Sequence, residues 1–377
     1  MKESEQIYHD LRKHLDNQAV GFPATKSGAE IRILKRLFTP EEAEMAMHLT
    51  YRPCSLGDFY SKVKPEGMTL SDAEQILEGM RSKGAIGHIN KENKRYYLLI
   101  PFVVGSYEFQ LGRLTREFID DVTEYMNDRN FGLALLGTKI SQMRTIPVQQ
   151  SITVEHRVTS YDNVRELIAQ TEGPIAINEC ICRQLAEMNG KPCQTTTRRE
   201  TCMCFDEWAE FGISEGVSRK ISKEEALEIM RQSEEEGLVL QPSNDKKVEF
   251  ICACCGCCCG MLSMQKMLPK PVDFWATNFY SVIDAEKCNG CGTCVARCQV
   301  NAVKVNGKTG IAVIDLDRCI GCGNCVITCP SEAISLVKKE KETVPPDDVE
   351  SLYKTLAENK LGTLGKIKLI SRMVLKK

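Results

Sequence analysis

Cys288-Asn-Gly-Cys291-Gly-Thr-Cys294-Val-Ala-Arg-Cys298 and Cys319-Ile-Gly-Cys322-Gly-Asn-Cys325-Val-Ile-Thr-Cys329-Pro330 carry one cysteine pattern twice. A cubane iron–sulfur cluster needs four thiolates at tetrahedrally disposed irons. Two-residue gaps loop the backbone around three corners, and in a doubled motif the halves exchange the fourth ligand. The expected sets are Cys288, Cys291, Cys294 and Cys329 for one [4Fe–4S] cluster, and Cys319, Cys322, Cys325 and Cys298 for the other. Gly290, Gly292, Gly321 and Gly323 leave the backbone free to wrap a cubane and turn N–H groups toward sulfur. Zinc sites pair short-gap units across a long gap, which eight cysteines in two such runs do not fit.

Strand-like segments lie before each motif (Tyr280–Ile283 and Ile311–Asp315) and after each (Ala302–Val305 and Ala333–Val337). With these, residues 281–338 resemble a bacterial dicluster ferredoxin. The resemblance implies two neighbouring one-electron carriers at low potential. One departure stands out: Gln299 occupies the position that Pro330 takes in the second half.

Nineteen of the 20 cysteines fall between Cys180 and Cys329, with only Cys54 outside. Eleven precede the doubled motif: Cys180, Cys182, Cys193, Cys202, Cys204, Cys252, Cys254, Cys255, Cys257, Cys258 and Cys259. That is too many for packing alone, and disulfides do not suit a chain whose clusters imply a reducing compartment. The expectation is one or two further [4Fe–4S] clusters, with zinc as the alternative. The leading ligands are Cys180, Cys182, Cys193 and Cys202, completed from Cys254–Cys259; spacing does not choose within Cys252–Cys259. Cys254-Cys255-Gly256 and Cys258-Cys259-Gly260 contain the tripeptide of heterodisulfide-reductase-type subunits, but that family spaces its elements widely and these are adjacent. Arg183 and Lys191 are charges placed to stabilise thiolates, or simply surface residues.

The remainder sets limits. Over 377 residues Lys+Arg is 49 and Asp+Glu 51, a net charge of -2 that argues against chain-wide affinity for nucleic acid or anionic lipid. Hydrophobic content of 42% supports ordinary cores, and 6% aromatics argues against a base-stacking platform. The polar start, Met1-Lys2-Glu3-Ser4-Glu5, is unlike a secretory signal, and no apolar run of about 18 residues is present. P-loop, G-x-G-x-x-G and H-E-x-x-H patterns are absent; Gly137-Thr138-Lys139 lacks Walker spacing, and a lone His156 reads as structural.

Toward the N-terminus, Thr39-Pro40-Glu41-Glu42 combines a cap, a first-turn proline and a capping-box glutamate. Leu56, Phe59, Tyr60 and Val63 predict a second helix, and Ser71-Asp72-Ala73-Glu74 opens a third. Ile86–Ile89 and Tyr96–Ile100 follow as a hairpin. Three short helices and a hairpin over 31–105 resemble a winged-helix domain. Its third helix carries Asp72, Glu74 and Glu78 against Arg81 and Lys83, which argues against duplex DNA and for protein docking or a structural role.

The expected class is α+β and multidomain. It comprises a winged-helix-like domain (1–105), a helical connection (106–173, with helices at Leu114–Met126 and Val164–Ile168), a cysteine-rich α/β region (174–275), the ferredoxin-like domain (276–340) and a basic helical tail (341–377). In the tail, Lys366, Lys368, Arg372, Lys376 and Lys377 suit a solvated helix or a docking arm for an acidic partner. Functionally the sequence reads as a cytoplasmic, polyferredoxin-like electron carrier or electron-transfer subunit of anaerobic metabolism. It would serve a redox partner or an oxidoreductase complex rather than catalyse a reaction itself, with homo-oligomerisation left open. A redox-sensing winged-helix regulator is the alternative, and a cysteine-based reductase a third reading.

Overall fold

Thr39 and Thr69 start two of the helices that the sequence marks. Thr39 Oγ1 accepts from the Glu42 amide at 3.2 Å, and Glu42 accepts from the Thr39 amide at 2.7 Å, so Pro40–Ala46 opens on a reciprocal cap. Thr69 and Asp72 do the same for Leu70–Ser82, at 3.2 and 2.8 Å. Thr69 supplies the cap, so this helix begins one residue before Ser71. These elements belong to a computed structural model that describes all residues except Met1, 64–66, Asn93, Lys139, 154–157, 363, 364, 366–368, 370 and 372–377. His156 and the five basic tail residues therefore lie outside the described residues. No described helix is long and apolar enough to cross a membrane.

Two units interleave along the chain. One takes the chain up to Thr138, with Glu207–Arg219 and Tyr353–Leu361; the other takes residues 140–206 and 220–352. In the first, the helices Lys2–Asp16, Ala29–Leu37, Pro40–Ala46, Leu56–Val63 and Leu70–Ser82 accompany a three-stranded antiparallel sheet. Its strands β1 (Cys54–Ser55), β2 (Gly87–Lys91) and β3 (Lys94–Leu98) run in the order β1-β3-β2, with Cys54 opposite Tyr97. Strand β1 is two residues long, too short to leave a periodic signal. Helices Arg116–Asn127 and Arg129–Leu136 follow; the second was not foreseen. Phe22, Phe102 and Tyr125 meet at ring-centroid distances of 4.9–5.6 Å in the core. Phe211 packs on Phe109 at 4.1 Å, with Trp208 stacked on the same ring.

The second unit is built on a five-stranded sheet in the order β6-β4-β5-β8-β7, comprising β4 (Ile175–Glu179), β5 (Glu200–Phe205), β6 (Arg219–Ile221), β7 (Val239–Pro242) and β8 (Phe250–Cys254). Side chains alternate across a strand. Ile175, Ile177, Met203, Phe205, Leu240, Ile251 and Ala253 thus form one apolar face, covered by the helices Val164–Gln170 and Lys223–Glu235. The opposite positions are Cys202, Cys204, Cys252 and Cys254, and the β5–β8 register sets Cys202 against Cys252. Sequence reading did not identify β5 as a strand.

The chain then adds two antiparallel pairs: β9 (Phe279–Ile283) with β12 (Ile334–Lys338), and β10 (Val303–Val305) with β11 (Ala312–Ile314). These are the four segments flanking the cysteine motifs. The duplication reaches into the backbone, since Asn301 and Glu332, each three residues past the last cysteine of its motif, both have positive φ (58° and 50°).

Candidate metal centres

The doubled motif folds so that each run of three cysteines meets the last cysteine of the other. Cys298, Cys319, Cys322 and Cys325 line one cavity, together with Ser281 and Ile320. Cys298 and Cys319 lie close enough to Cys322 and Cys325 to act on them electrostatically. Cys294 feels Cys291 and Cys329. Burial raises Cys322 well above the ordinary thiol range and pushes Cys325 up to about 12. A metal must therefore displace protons to bind there.

Backbone amides point at these sulfurs in matching places. Ala302 N donates to Cys298 Sγ at 3.1 Å and Ala333 N to Cys329 Sγ at 3.3 Å, each from four residues downstream. Ser281 N on β9 donates to Cys319 Sγ, and Ala312 N on β11 to Cys288 Sγ, both at 3.4 Å. Such donors stabilise thiolate, so the residues fit a cluster in chemistry and in space. The turns themselves require glycine. Gly290 (φ 71°) and Gly321 (φ 63°) would each set a Cβ 2.0–2.2 Å from a backbone carbonyl oxygen, that of Gly310 and of Phe279 respectively. When bound, each [4Fe–4S] cluster takes up and releases one electron. The set with Cys291 opens to solvent, whereas Cys319 and Cys325 are 8% exposed.

Ten of the eleven earlier cysteines fall into two groups, with Cys204 outside both. Contacts run from Cys182 to Cys180, then to Cys202, Cys252, Cys254 and Cys259. The Cys202–Cys252 separation is 3.6 Å, and Gln241 Nε2 reaches Cys259 Sγ at 3.9 Å. Cys180 immediately precedes the helix Ile181–Met188, and Cys204 lies on the same sheet face as Cys202. Hydrogen bonds from Cys182 and Cys202 lower the Cys180 thiol, and those from Cys252 and Cys259 lower Cys254, so these two ionise first.

The second group is Cys193, Cys255, Cys257 and Cys258, whose four Sγ atoms all lie within 4.8 Å of one another. Cys193 therefore sits with the Cys255–Cys258 turn and apart from Cys180, Cys182 and Cys202. No local spacing carries that grouping. Arg183 is buried, at 4% exposed, with Cys180, Cys255 and Cys193 beside its guanidinium and its Nη2 donating to Ala253 O at 3.1 Å. Gln299 reaches this region as well, its Oε1 accepting from Gly256 N at 2.7 Å.

A protein-family model described as a 4Fe-4S dicluster domain matches residues 287–333, a span that holds all eight cysteines of the doubled motif. No curated protein and no solved structure matches the chain. The chain thus carries a 4Fe-4S dicluster domain, which implies two [4Fe–4S] clusters, and its additional cysteines leave room for further metal.

Proposed function

We propose that the chain is an iron–sulfur electron-transfer protein, a carrier or an oxidoreductase subunit, in which the dicluster half passes electrons to a third centre on the thiol face of the sheet. The observation that carries this reading is a single packed cluster holding Cys252, Cys254 and Cys259 together with Cys298, Cys319 and Cys322. Val239, Leu262, Val300 and Ile320 pack in the same cluster, so the two sets of thiols share one continuous interior. In this reading Cys288, Cys291, Cys294 and Cys329 hold the solvent-facing cluster, and Cys298, Cys319, Cys322 and Cys325 the inner one. Ligands for the third centre come from Cys180, Cys182, Cys202, Cys252, Cys254 and Cys259. Exposed Cys291 marks the end where a cytoplasmic redox partner docks.

Residues 31–105 are assigned here as a winged-helix-like docking domain. The order helix, β1, two helices, β2, β3 supports this, as does the β1-β3-β2 sheet. The basic residues of its third helix are engaged within the protein: Arg81 pairs with Glu78 at 2.7 Å and with Glu215, and Lys83 pairs with Glu42. Neither is left for phosphate, which weighs against the regulator reading.

Anaerobic iron and sulfide analysis with redox titration tests the proposal. About eight of each are expected from the dicluster half and about twelve with the sheet-face centre, with magnetic interaction between reduced centres in EPR. Clusters that neither accept electrons from a low-potential donor nor pass them to an acceptor dye would refute a carrier role.

A further inference from the structure

We propose that Cys193, Cys255, Cys257 and Cys258 bind one four-coordinate thiophilic metal ion, zinc or ferrous iron, and not a cubane. Sulfur separations carry the argument. Cys193 Sγ lies 3.5 Å from Cys255 Sγ and 3.7 Å from Cys257 Sγ, and Cys257 Sγ lies 3.7 Å from Cys258 Sγ. A single tetrahedral ion with metal–sulfur bonds of about 2.3 Å sets its thiolates about 3.8 Å apart. A cubane spreads its terminal thiolates to roughly 6 Å, because each sits beyond a separate iron corner.

The dicluster half supplies an internal control. All eight of its cysteines are described, yet no other group of three or more converges within 4.8 Å among the described residues. The same chain thus builds wide quartets for cubanes and one narrow quartet. The run of six thiols from Cys182 to Cys259 contains close pairs such as Cys202–Cys252, but no three of them converge within 4.8 Å.

The surroundings suit a closed, structural site. Gly256 lies between two of the ligands, with its N–H bonded to Gln299 Oε1 and its carbonyl accepting from Lys266 Nζ at 2.6 Å. Amides of Thr195 and Thr196 donate to Cys193, and Thr195 Oγ1 lies 3.5 Å from Cys257 Sγ. Four thiolates around a divalent ion leave two negative charges, which the buried Arg183 guanidinium beside Cys193 and Cys255 partly offsets. With four protein ligands the ion has no open position, so its role is to pin the loop at Cys193 to the turn that continues into Cys259. The inference stands apart from the electron-transfer reading, since it needs no reduction of any centre.

The test uses the full chain purified anaerobically. Total metal should exceed acid-labile sulfide by one equivalent, because only the cubanes contain sulfide. The excess is zinc if zinc K-edge absorption gives four sulfurs at about 2.3 Å, and iron if Mössbauer spectra show one high-spin ferrous site with four sulfur ligands. Replacing Cys257 and Cys258 together by alanine should remove that one metal and leave sulfide unchanged. Metal equal to sulfide in the wild type would overturn the proposal even if the variant did not fold. So would loss of four irons with four sulfides from the variant.

Discussion

Replacing Cys298 by alanine should empty the metal site held by cysteines that follow it by 21–27 residues and spare the one held by its neighbours. Cys298 shares its cavity with Cys319, Cys322 and Cys325, and its sulfur is fixed there by the Ala302 amide at 3.1 Å. Three thiols then remain around the cavity. Burial has already raised Cys322 and Cys325, so without metal both revert to the protonated form. The expected loss is about four irons and four sulfides per chain, and half of the visible charge-transfer absorbance due to the dicluster half.

Iron counts alone do not say which cluster was lost, so the assay compares residual EPR spectra of three variants. Cys298→Ala and Cys322→Ala empty the same set and should leave the same spectrum after reduction. Cys291→Ala empties the other set and should leave the complementary one. If the Cys298→Ala spectrum matched that of Cys291→Ala, each motif would be holding its own cluster, and the exchange of the fourth ligand would be refuted.

Two further outcomes follow from the packing. In Gly256→Ala the new Cβ would meet Gln299 O at 2.2 Å; Lys266 can swing aside but a backbone carbonyl cannot, so a loss of about 1–3 kcal/mol is expected. Thermal unfolding together with metal content checks this, and an unchanged midpoint with full occupancy would show that the turn yields to the added methyl group. His88 is 5% exposed, edge-on to Phe211 at 4.9 Å, and burial, aided by Arg95 and Arg81, lowers its pKa to about 4. The folded state prefers neutral imidazole, so this contribution is complete above the unfolded value of about 6.5 and is lost as pH falls toward 4, by about 1–2 kcal/mol after solvent screening. Denaturant unfolding followed through Trp208 in a Trp275→Phe background should show this slope, and His88→Gln should flatten it; parallel slopes would assign the acid sensitivity elsewhere.

The dicluster half was legible because its chemistry is written locally. Two-residue gaps, glycines at Gly290 and Gly321, and flanking strands all act within a dozen residues of one another. The middle cysteines obey longer-range rules. Cys202 meets Cys252 through the β5–β8 register, and Cys193 meets Cys255 across 62 residues of sequence. Spacing groups Cys193 with Cys180, Cys182 and Cys202, whereas pairing of strands separates them. Strand β5 itself was hidden because its period-two signal uses cysteine as the alternating residue: Thr201, Met203 and Phe205 turn one way, Cys202 and Cys204 the other. In the first unit, the capped helices were legible from Thr39 and Asp72, but the return of Phe211 to the Phe109 ring joins segments a hundred residues apart.

Gln299 shows why the two halves of the duplicated motif diverged. Pro330 ends its run with no amide to satisfy and little to touch, being exposed. At the matching place Gln299 binds the Gly256 amide, and Arg297 beside it donates to Glu234 O at 2.9 Å at the end of the helix Lys223–Glu235. Asn324 and Arg318 behave alike. Asn324 Nδ2 donates to the carbonyls of Gly237 and Leu238 at 3.1 and 3.2 Å, and Arg318 to those of Leu268 and Lys266, both at 2.8 Å. In a free-standing module these side chains would face water. Here they satisfy carbonyls at helix and strand ends of the cysteine-rich region, groups whose burial without a partner costs about 1–3 kcal/mol each. These polar contacts fix the dicluster half on the side of Cys298 and Cys319, while Cys291 is exposed. Under the proposed electron-transfer function that asymmetry gives a direction: the set containing Cys291 would face an external partner, and the set containing Cys298 and Cys319 would face the cysteine-rich sheet.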